Sequence, residues 1–289
     1  MTSNSRKLRN MLASDETYIV PGVYDALTAR MCQHVGFEAV WISGYMVSGS
    51  RLAKPDVGLL TFNEMLDTAA AVCDVVDIPV VVDGETGYGG ILNLQRTVKA
   101  FECAGAAGMQ LDDIVLETCP YIGREYSIVS IEEMVNKISA AKEAATDPDF
   151  CILATCCIFQ PEKRDEIIER AKAYYEAGSD AIFFPWEKVE DLEWFTQAAG
   201  HIGAPMIAIF APSLPHQKIE DYNRLGYRIV IYATDLLYVS VQAQLKLLKE
   251  LKKTGTGAAL KGDLAGHSEY LDLVQMPKIL EIEKKYQVS

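Results

Sequence analysis

Short apolar runs alternate with longer amphipathic stretches along nearly the whole chain, from near residue 17 to near residue 250. Uninterrupted apolar runs are typical of parallel strands covered on both faces, and the stretches between them have the spacing of helices that pack on one side. A glycine marks the join between helix and strand in VGFEAV, AGAAGMQL, AGSDAIFF and LGYRIVIY. The predicted strands are residues 17–20, 39–42, 80–82, 108–111, 151–154, 181–184, 206–209 and 228–231.

Eight successive strand and helix units predict a closed α/β barrel of parallel strands, a (β/α)8 TIM barrel. No linker, low-complexity tract or charge block interrupts the pattern. We therefore predict a single domain over residues 1–289, with the barrel at about 15–250 and a helical tail at about 251–289. The last helix, predicted from about Ser268, is apolar on one face. Such a face fits packing against another subunit, and it fits an ordinary surface helix equally well.

Two predicted strands end in acidic residues. The run VVVDGETGYGG places Asp83 and Glu85 at the end of the third strand, and GMQLDD places Asp112 at the end of the fourth. In TIM barrels the chemistry lies at these carboxyl ends of the strands. Three carboxylates there would repel one another, and they suit a hard cation such as Mg²⁺, with Mn²⁺ as the alternative ion. The simpler interpretation is a solvated acidic turn.

Composition narrows the range of partners. The chain is 49% hydrophobic and 23% charged, which allows a large core, and its net charge of −13 disfavours nucleic acid and anionic membranes. A small anionic substrate remains compatible with that charge. The sequence lacks the roughly 18-residue apolar run of a membrane span and an apolar signal core at the N-terminus, so a cytoplasmic location is the default expectation. The seven cysteines are scattered and do not predict a disulfide framework, and most of them are expected to be buried thiols.

Six segments resemble, in order and spacing, the isocitrate lyase and phosphoenolpyruvate mutase superfamily. They are PGVYDALTAR, WISGY, KPDVGLLTFNEM, DGETGYGG, AGAAGMQLDD and SIEEMVNKISAAKEAATDPDF. The resemblance implies a TIM barrel that uses Mg²⁺ to stabilise an enolate while a C–C or P–C bond of a small 2-oxo or 2-hydroxy carboxylate is cleaved or rearranged. It also implies a homo-oligomer, a dimer or a tetramer, in which C-terminal helices are exchanged between subunits.

Within the resemblance, four residues match positions that hold the substrate or lie near the metal. Ser43, Gly44 and Tyr45 match the segment that binds the substrate carboxylate through backbone groups and a hydroxyl. Asp56, in KPDVG, matches an acid close to the metal.

The three acids also match, with two exchanges. Asp83 corresponds to the direct Mg²⁺ ligand, Glu85 replaces the second aspartate of the family pattern DADTGYG, and Asp112 replaces the usual glutamate. One side chain is longer and the other shorter, so the number of carboxylates is kept. We predict a retained cation site with altered geometry.

The loop after the fourth strand departs from the family. Lyase members carry KxCGH there, whereas this chain has ETCPYIGREY, with Thr118, Pro120 and Ile122 at the lysine, cysteine and histidine positions. The mutase version, KTNS, is also missing from the sequence. The usual route of isocitrate or methylisocitrate cleavage is therefore not expected.

The ends of three further strands, which bind the substrate in the family, carry different residues in this chain. Thr155 stands where the fifth strand supplies an arginine, Pro185 and Trp186 replace a glutamate or histidine on the sixth, and Ile209 replaces an asparagine on the seventh. The loss of a guanidinium removes the group best suited to a second carboxylate. We predict a substrate with fewer anionic groups, with Thr155 and Trp186 in its pocket.

The acid or base of the reaction must then come from other residues. Cys119 and Arg124 lie in the loop after the fourth strand, and His216 follows the seventh strand at the catalytic rim. Each has a simpler interpretation, as a structural thiol or a solvated loop side chain. The adjacent Cys156 and Cys157 are interpreted as buried thiols in the same way.

Two classes of function therefore remain open, besides a ketopantoate hydroxymethyltransferase-like enzyme that fits the flanking motifs less well. The first is a Mg²⁺-dependent lyase-type enzyme of unusual specificity, indicated by the acid cluster. The second is a barrel that has lost catalysis and serves in binding or assembly, indicated by the missing family residues.

Overall fold

A computed structural model describes residues 2–115, 126–158, 163–184, 192–210 and 218–286. Eight parallel strands close into one barrel in the order β1 to β8, and β8 pairs with β1. The predicted TIM barrel is therefore confirmed. The strands are β1 (Tyr18–Val23), β2 (Val40–Ile42), β3 (Val80–Asp83), β4 (Gly108–Asp112), β5 (Cys151–Thr155), β6 (Ala181–Phe184), β7 (Met206–Phe210) and β8 (Tyr227–Tyr232).

The helices surround the strands. They are α1 (Asn4–Ala13), α2 (Ala26–Val35), α3 (Gly44–Val47), α4 (Phe62–Val75), α5 (Ile91–Cys103), α6 (Ile131–Ala144), α7 (Arg164–Glu176), α8 (Leu192–Ile202), α9 (Ile219–Arg224), α10 (Asp235–Thr254), α11 (His267–Leu273) and α12 (Met276–Tyr286). Several begin with a side-chain cap. Asp25 and Thr61, for example, start α2 and α4 with a reciprocal capping box. These caps fix where the chain leaves each strand end and enters a helix.

Strand β1 is longer than predicted. It continues past residue 20 through Pro21 and Gly22, because Pro21 pairs with Tyr232 and Gly22 with Trp41. A β-carbon on Gly22 would lie 2.6 Å from the carbonyl oxygen of Ala233. The glycine therefore permits the close approach of β1 and β8 that closes the barrel.

The core has two layers, as the strand period requires. One fills the barrel interior, with side chains such as Trp41, Val81 and Phe183, and the other lies between the strands and the helices, with side chains such as Val82 and Phe101. Helix α1, which the sequence pattern did not predict, adds Leu8, Met11 and Leu12 to the interior layer. At the carboxyl ends of β3, β4 and β5, away from α1, polar residues occupy the positions that face the barrel interior.

The C-terminal helices differ from the predicted single final helix. Helix α11 begins at His267, close to the prediction, but Gln275 adopts a left-handed backbone at φ 58° and separates α11 from α12. Helices α10, α11 and α12 have no buried residue. Among the described helices, none is long and apolar enough to cross a membrane.

Candidate metal and substrate site

The barrel brings the three predicted acids together. Asp83, Glu85 and Asp112 each offer a carboxylate oxygen within 4.8 Å of the other two, and all three residues are buried. Asp83 ends β3 and Asp112 ends β4, both pointing into the barrel mouth. A buried cluster of this kind differs from the solvated acidic turn that the sequence also allowed.

Glu85 joins the cluster because the backbone turns after β3, and not because it lies two residues beyond Asp83 on the same strand face. Strand β3 ends at Asp83, and Glu85 adopts a left-handed backbone at φ 50°. The turn is held on both sides. The amide of Gly84 donates to the carbonyl of Gln110 at 3.0 Å, and the amide of Asp112 donates to the carbonyl of Glu85 at 2.8 Å. The backbone between the two acidic strand ends is therefore fixed by hydrogen bonds.

Asp83 organises the cluster. Its Oδ1 accepts the amide of Glu85 at 3.1 Å, and its Oδ2 accepts the amide of Gly44 at 3.0 Å. A β-carbon on Gly44 would lie 3.0 Å from that Oδ2 and would overlap Oε1 of Glu85. The absence of a side chain at Gly44 therefore leaves the space that the carboxylates and a bound ion require.

Asp112 is held by two neighbours. Nε2 of Gln110 donates to its Oδ1 at 3.0 Å, and Thr155 pairs with it across β4 and β5. The Thr155 hydroxyl lies close to the Asp112 carboxylate and favours its ionised form. Within the described part of the chain, however, Oγ1 of Thr155 has no hydrogen-bond partner at normal geometry. Gln110 was missed by the sequence analysis, although the two-residue period of GMQLDD places it on the same face as Asp112.

The electrostatics of the cluster favour a proton or a cation. Burial, together with the charges of Asp112 and Asp56, raises the pKa of Asp83 to about 8. Burial and the charge of Asp112 raise the pKa of Asp56 to about 6. Burial raises the pKa of Asp112 to about 6, against the opposing effects of the nearby Thr155 hydroxyl and of the hydrogen bond from Gln110. Desolvation by burial is the largest cause for all three carboxyl groups, and neighbouring negative charges add to it. The donor set of three buried oxygens, and the space beside Gly44, fit a hard cation.

The stability of the metal-free protein is expected to fall as the pH rises. Asp83 has a pKa of about 8 in the folded state against 3.8 as a model value, so the folded state binds the proton more tightly, and that stabilisation is lost as the pH rises between those values. Thermal unfolding should show a midpoint that falls from about pH 4 to about pH 8, and above about pH 6, where Asp56 and Asp112 ionise, Asp83 is the main source of the fall. Mg²⁺ should raise the midpoint most at the upper end. Asp83→Asn should flatten both trends. A Mg²⁺ effect independent of pH would contradict this account.

Ser43 and Asp56, which were also predicted to lie in the substrate pocket, are at the same rim. Ser43 is buried and caps α3 by accepting the amide of Met46 at 3.3 Å, and Asp56 is buried beside the cluster. The hydroxyl of Tyr45 instead lies 2.9 Å from that of Tyr238, on α10, with the two rings edge to face. Tyr238 was also missed, because no sequence pattern links α10 to the rim.

Two cysteines follow the end of β5 next to this rim. Cys156 and Cys157 are buried, and burial raises the pKa of both thiols well above the ordinary value. This agrees with their interpretation as structural cysteines. The remaining predicted residues, Cys119, Arg124, Trp186 and His216, lie outside the described residues.

A TIM barrel with a buried cluster of acids at the carboxyl ends of β3 and β4 has its polar residues at the face where TIM-barrel enzymes carry their active sites, and the cluster could hold a metal ion. The model of the phosphoenolpyruvate phosphomutase family matches residues 8–252, and the chain belongs to that family, within the isocitrate lyase and phosphoenolpyruvate mutase superfamily. Its relatives are named lyases, phosphonomutases and hydrolases, and the chain is an enzyme of this superfamily. The match favours this assignment over the ketopantoate hydroxymethyltransferase-like one.

Three relatives illustrate the range of activities. The 2,3-dimethylmalate lyase of Eubacterium barkeri is 38% identical over 98% of both chains. A phosphoenolpyruvate phosphomutase structure from Streptomyces platensis subsp. rosaceus has a TM-score of 0.90 at 27% identity, covering 98% of this chain and 99% of the other. A phosphonopyruvate hydrolase solved with oxalate and Mg²⁺ has a TM-score of 0.87 at 27% identity, covering 99% and 100% of the two chains.

Proposed function

We propose that the protein is a Mg²⁺-dependent carbon–carbon lyase that cleaves a substituted malate, a small 2-hydroxy dicarboxylate, through an enolate-like species. The observation that carries the proposal is the buried cluster of Asp83, Glu85 and Asp112 at the strand ends. Mg²⁺, or Mn²⁺ in its place, would supply there the positive charge that neutralises developing negative charge on the substrate. The relative solved with Mg²⁺ and oxalate, a planar mimic of enolpyruvate, supports the choice of ion.

The substrate class follows from the other side of the pocket. Thr155 offers a neutral hydroxyl where the superfamily resemblance implied an arginine, and that hydroxyl is buried beside Asp112. A neutral donor is poorly suited to an additional carboxylate. A substituted malate has two carboxylates, one fewer than isocitrate or methylisocitrate. The 38% identical relative named 2,3-dimethylmalate lyase supports this substrate type.

The reaction would be a retro-aldol cleavage. A base removes the proton of the 2-hydroxyl, the C2–C3 bond breaks, and its electron pair moves onto C3 beside the second carboxylate. A proton then binds C3, which gives a 2-oxo acid and a saturated carboxylate. Gly44 and Ser43 would hold the substrate carboxylate at the C2 end, with Tyr45 and Asp56 at the edge of that pocket, and Trp186 would contact the alkyl substituents.

The acid and the base would come from loops at the carboxyl ends of the strands. We assign these roles among Cys119, Arg124 and His216, because the sequence places Cys119 and Arg124 in the loop that follows β4 and His216 in the loop that follows β7. Cys156 and Cys157 are not candidates, since burial keeps their thiols protonated.

The protein would act in the cytoplasm as a homo-oligomer, a dimer or a tetramer. Support for assembly comes from the apolar side chains that α10 and α12 leave exposed, among them Leu248 and Leu280. The tail of one subunit would cover these side chains on another, with exchange of the C-terminal helices.

Calorimetric titration with oxalate tests the metal-dependent half of the site without a choice of substrate. We expect tight binding with Mg²⁺ and none after chelation, because oxalate needs the charge of the ion to lie beside three carboxylates. Binding that is equal in both conditions would contradict the role of the metal.

A second assay tests the substrate class. Formation of a 2-oxo acid from 2,3-dimethylmalate should exceed that from 2-methylisocitrate by at least about tenfold in kcat/KM, the scale of discrimination that one pocket contact provides. A preference for methylisocitrate would overturn the assignment based on Thr155. Metal-dependent oxalate binding without turnover of 2-hydroxy or 2-oxo acids would favour the barrel that has lost catalysis.

A further inference from the structure

Another buried carboxylate, that of Asp113, directly follows Asp112 in the chain but is not one of the three grouped acids. Asp113 is 0% exposed and lies after the last residue of β4, on the opposite side of the backbone from Asp112. Its Oδ2 accepts the hydroxyl of Tyr174 at 2.7 Å, and its Oδ1 accepts the amide of Cys157 at 2.8 Å. The side chain thus joins the end of β4 to the segment after β5 and to helix α7.

Arg170 completes this cluster from the same helix. Its guanidinium lies 3.7 Å from Oδ2 of Asp113 and donates to the hydroxyl of Tyr174 at 3.0 Å. The same nitrogen donates to the carbonyl of Val129 at 2.8 Å, and Nε donates to Glu166 at 3.0 Å. The buried charge of Asp113 is therefore paired and hydrogen-bonded, as a buried charge must be.

The cluster also fixes both ends of the connection from β4 to α6. The amide of Val129 donates to the carbonyl of Asp113 at 2.8 Å, and the amide of Val115 donates to the carbonyl of Ser127 at 2.8 Å. Between them, Ile114 and Ile128 form an antiparallel bridge. The two ends of this connection, residues 113–115 and 127–129, therefore lie side by side against α7.

This arrangement restrains Asp112 because Asp112 is the chain neighbour of Asp113. Asp112 and Asp113 are adjacent, so a backbone that Asp113 anchors on one side presents Asp112 to the barrel mouth on the other. The Cys157 amide gives the same anchor to the chain two residues after Thr155. Asp112 of β4 and Thr155 of β5 thus share one support.

We propose that Asp113, Tyr174 and Arg170 are positioning residues, which set the geometry of Asp112 and Thr155 and thereby the affinity of the site for its cation. The inference rests on the proposed metal role of the acid cluster, although not on the identity of the substrate. Partners that orient a metal ligand without touching the ion typically contribute about 10–100-fold to metal affinity.

Tyr174→Phe removes one hydroxyl and keeps the buried ring. Calorimetry with Mn²⁺ alone should give about 10–100-fold weaker binding than in the wild type. Tyr175→Phe is the matched control, because Tyr175 is the next residue of α7 and is 37% exposed. Its Mn²⁺ affinity should equal that of the wild type. Asp113→Asn, which keeps the shape of the side chain, provides a second variant if Tyr174→Phe does not fold.

A purely structural cluster would give a different result. Tyr174→Phe would then lower the unfolding temperature but bind Mn²⁺ as the wild type does, and this outcome would overturn the inference. Failure of the proposed reaction would be a separate result. If the wild type binds Mn²⁺ but cleaves no substituted malate, the Mn²⁺ affinities of the wild type and Tyr174→Phe can still be compared. A wild type that binds no Mn²⁺ would overturn both.

Discussion

Replacement of Asp83 by alanine is expected to abolish Mg²⁺-dependent oxalate binding. Asp83 is one of the three carboxylates of the cluster, and its two oxygens also hold the amides of Gly44 and Glu85. Loss of the side chain removes a ligand and releases both neighbours. The fall in affinity should therefore exceed the roughly 10–100-fold that is typical of residues one shell further from a metal.

The fold should survive this change. Two buried amides lose an acceptor, at a cost of about 1–3 kcal/mol each, but repulsion with Asp112 and Asp56 is relieved. Circular dichroism checks the fold, and titration calorimetry measures binding. Asp74→Ala, at an exposed position on α4, is the matched control and should bind oxalate normally. Unchanged binding in Asp83→Ala would remove the metal site from this part of the barrel.

A methyl group at Gly44 is expected to have nearly as large an effect. In Gly44→Ala the added carbon would lie 3.0 Å from Oδ2 of Asp83 and would overlap Oε1 of Glu85, so at least one carboxylate must move. The backbone itself tolerates alanine, since Gly44 is the first residue of α3 and has no positive φ. We expect a loss of about 10–100-fold in Mg²⁺ affinity, because the geometry of the ligands changes while their number does not.

Gly200→Ala is the control for this substitution. Gly200 lies in α8, and an added β-carbon there would meet nothing within 4 Å. Alanine should therefore leave Mg²⁺ binding unchanged and stabilise the helix slightly. Equal Mg²⁺ affinities in the two variants, measured by calorimetry, would show that the space beside Gly44 is not part of the site.

The barrel could be predicted from the sequence because each strand is a short apolar run with its own flanking helix. The position of Asp83 and Asp112 followed from the same pattern, since parallel strands end at one rim. The position of Glu85 was predicted only in part. The strand period placed it near Asp83, but the structure brings it there by a left-handed turn, a conformation that depends on contacts with β4.

Other features depend on contacts between residues far apart in the chain, and no local pattern reveals them. Asp113 is bound by Tyr174, 61 positions later, and Tyr45 by Tyr238, 193 positions later. The break between α11 and α12 at Gln275 was missed because the apolar spacing of the tail continues across it. The acid and base, by contrast, stay predictions, since Cys119, Arg124 and His216 lie outside the described residues.

The contact between Tyr45 and Tyr238 has a consequence for how the enzyme could be tuned. Tyr45 follows Gly44, which holds Asp83, whereas Tyr238 lies in the first turn of the helix whose outer face carries exposed leucines. The contact between the two tyrosines thus joins α10 to the residue that follows Gly44, whose amide donates to Asp83. We therefore expect a substitution on α10 that displaces Tyr238 to loosen Tyr45, although the substituted residue lies outside the pocket.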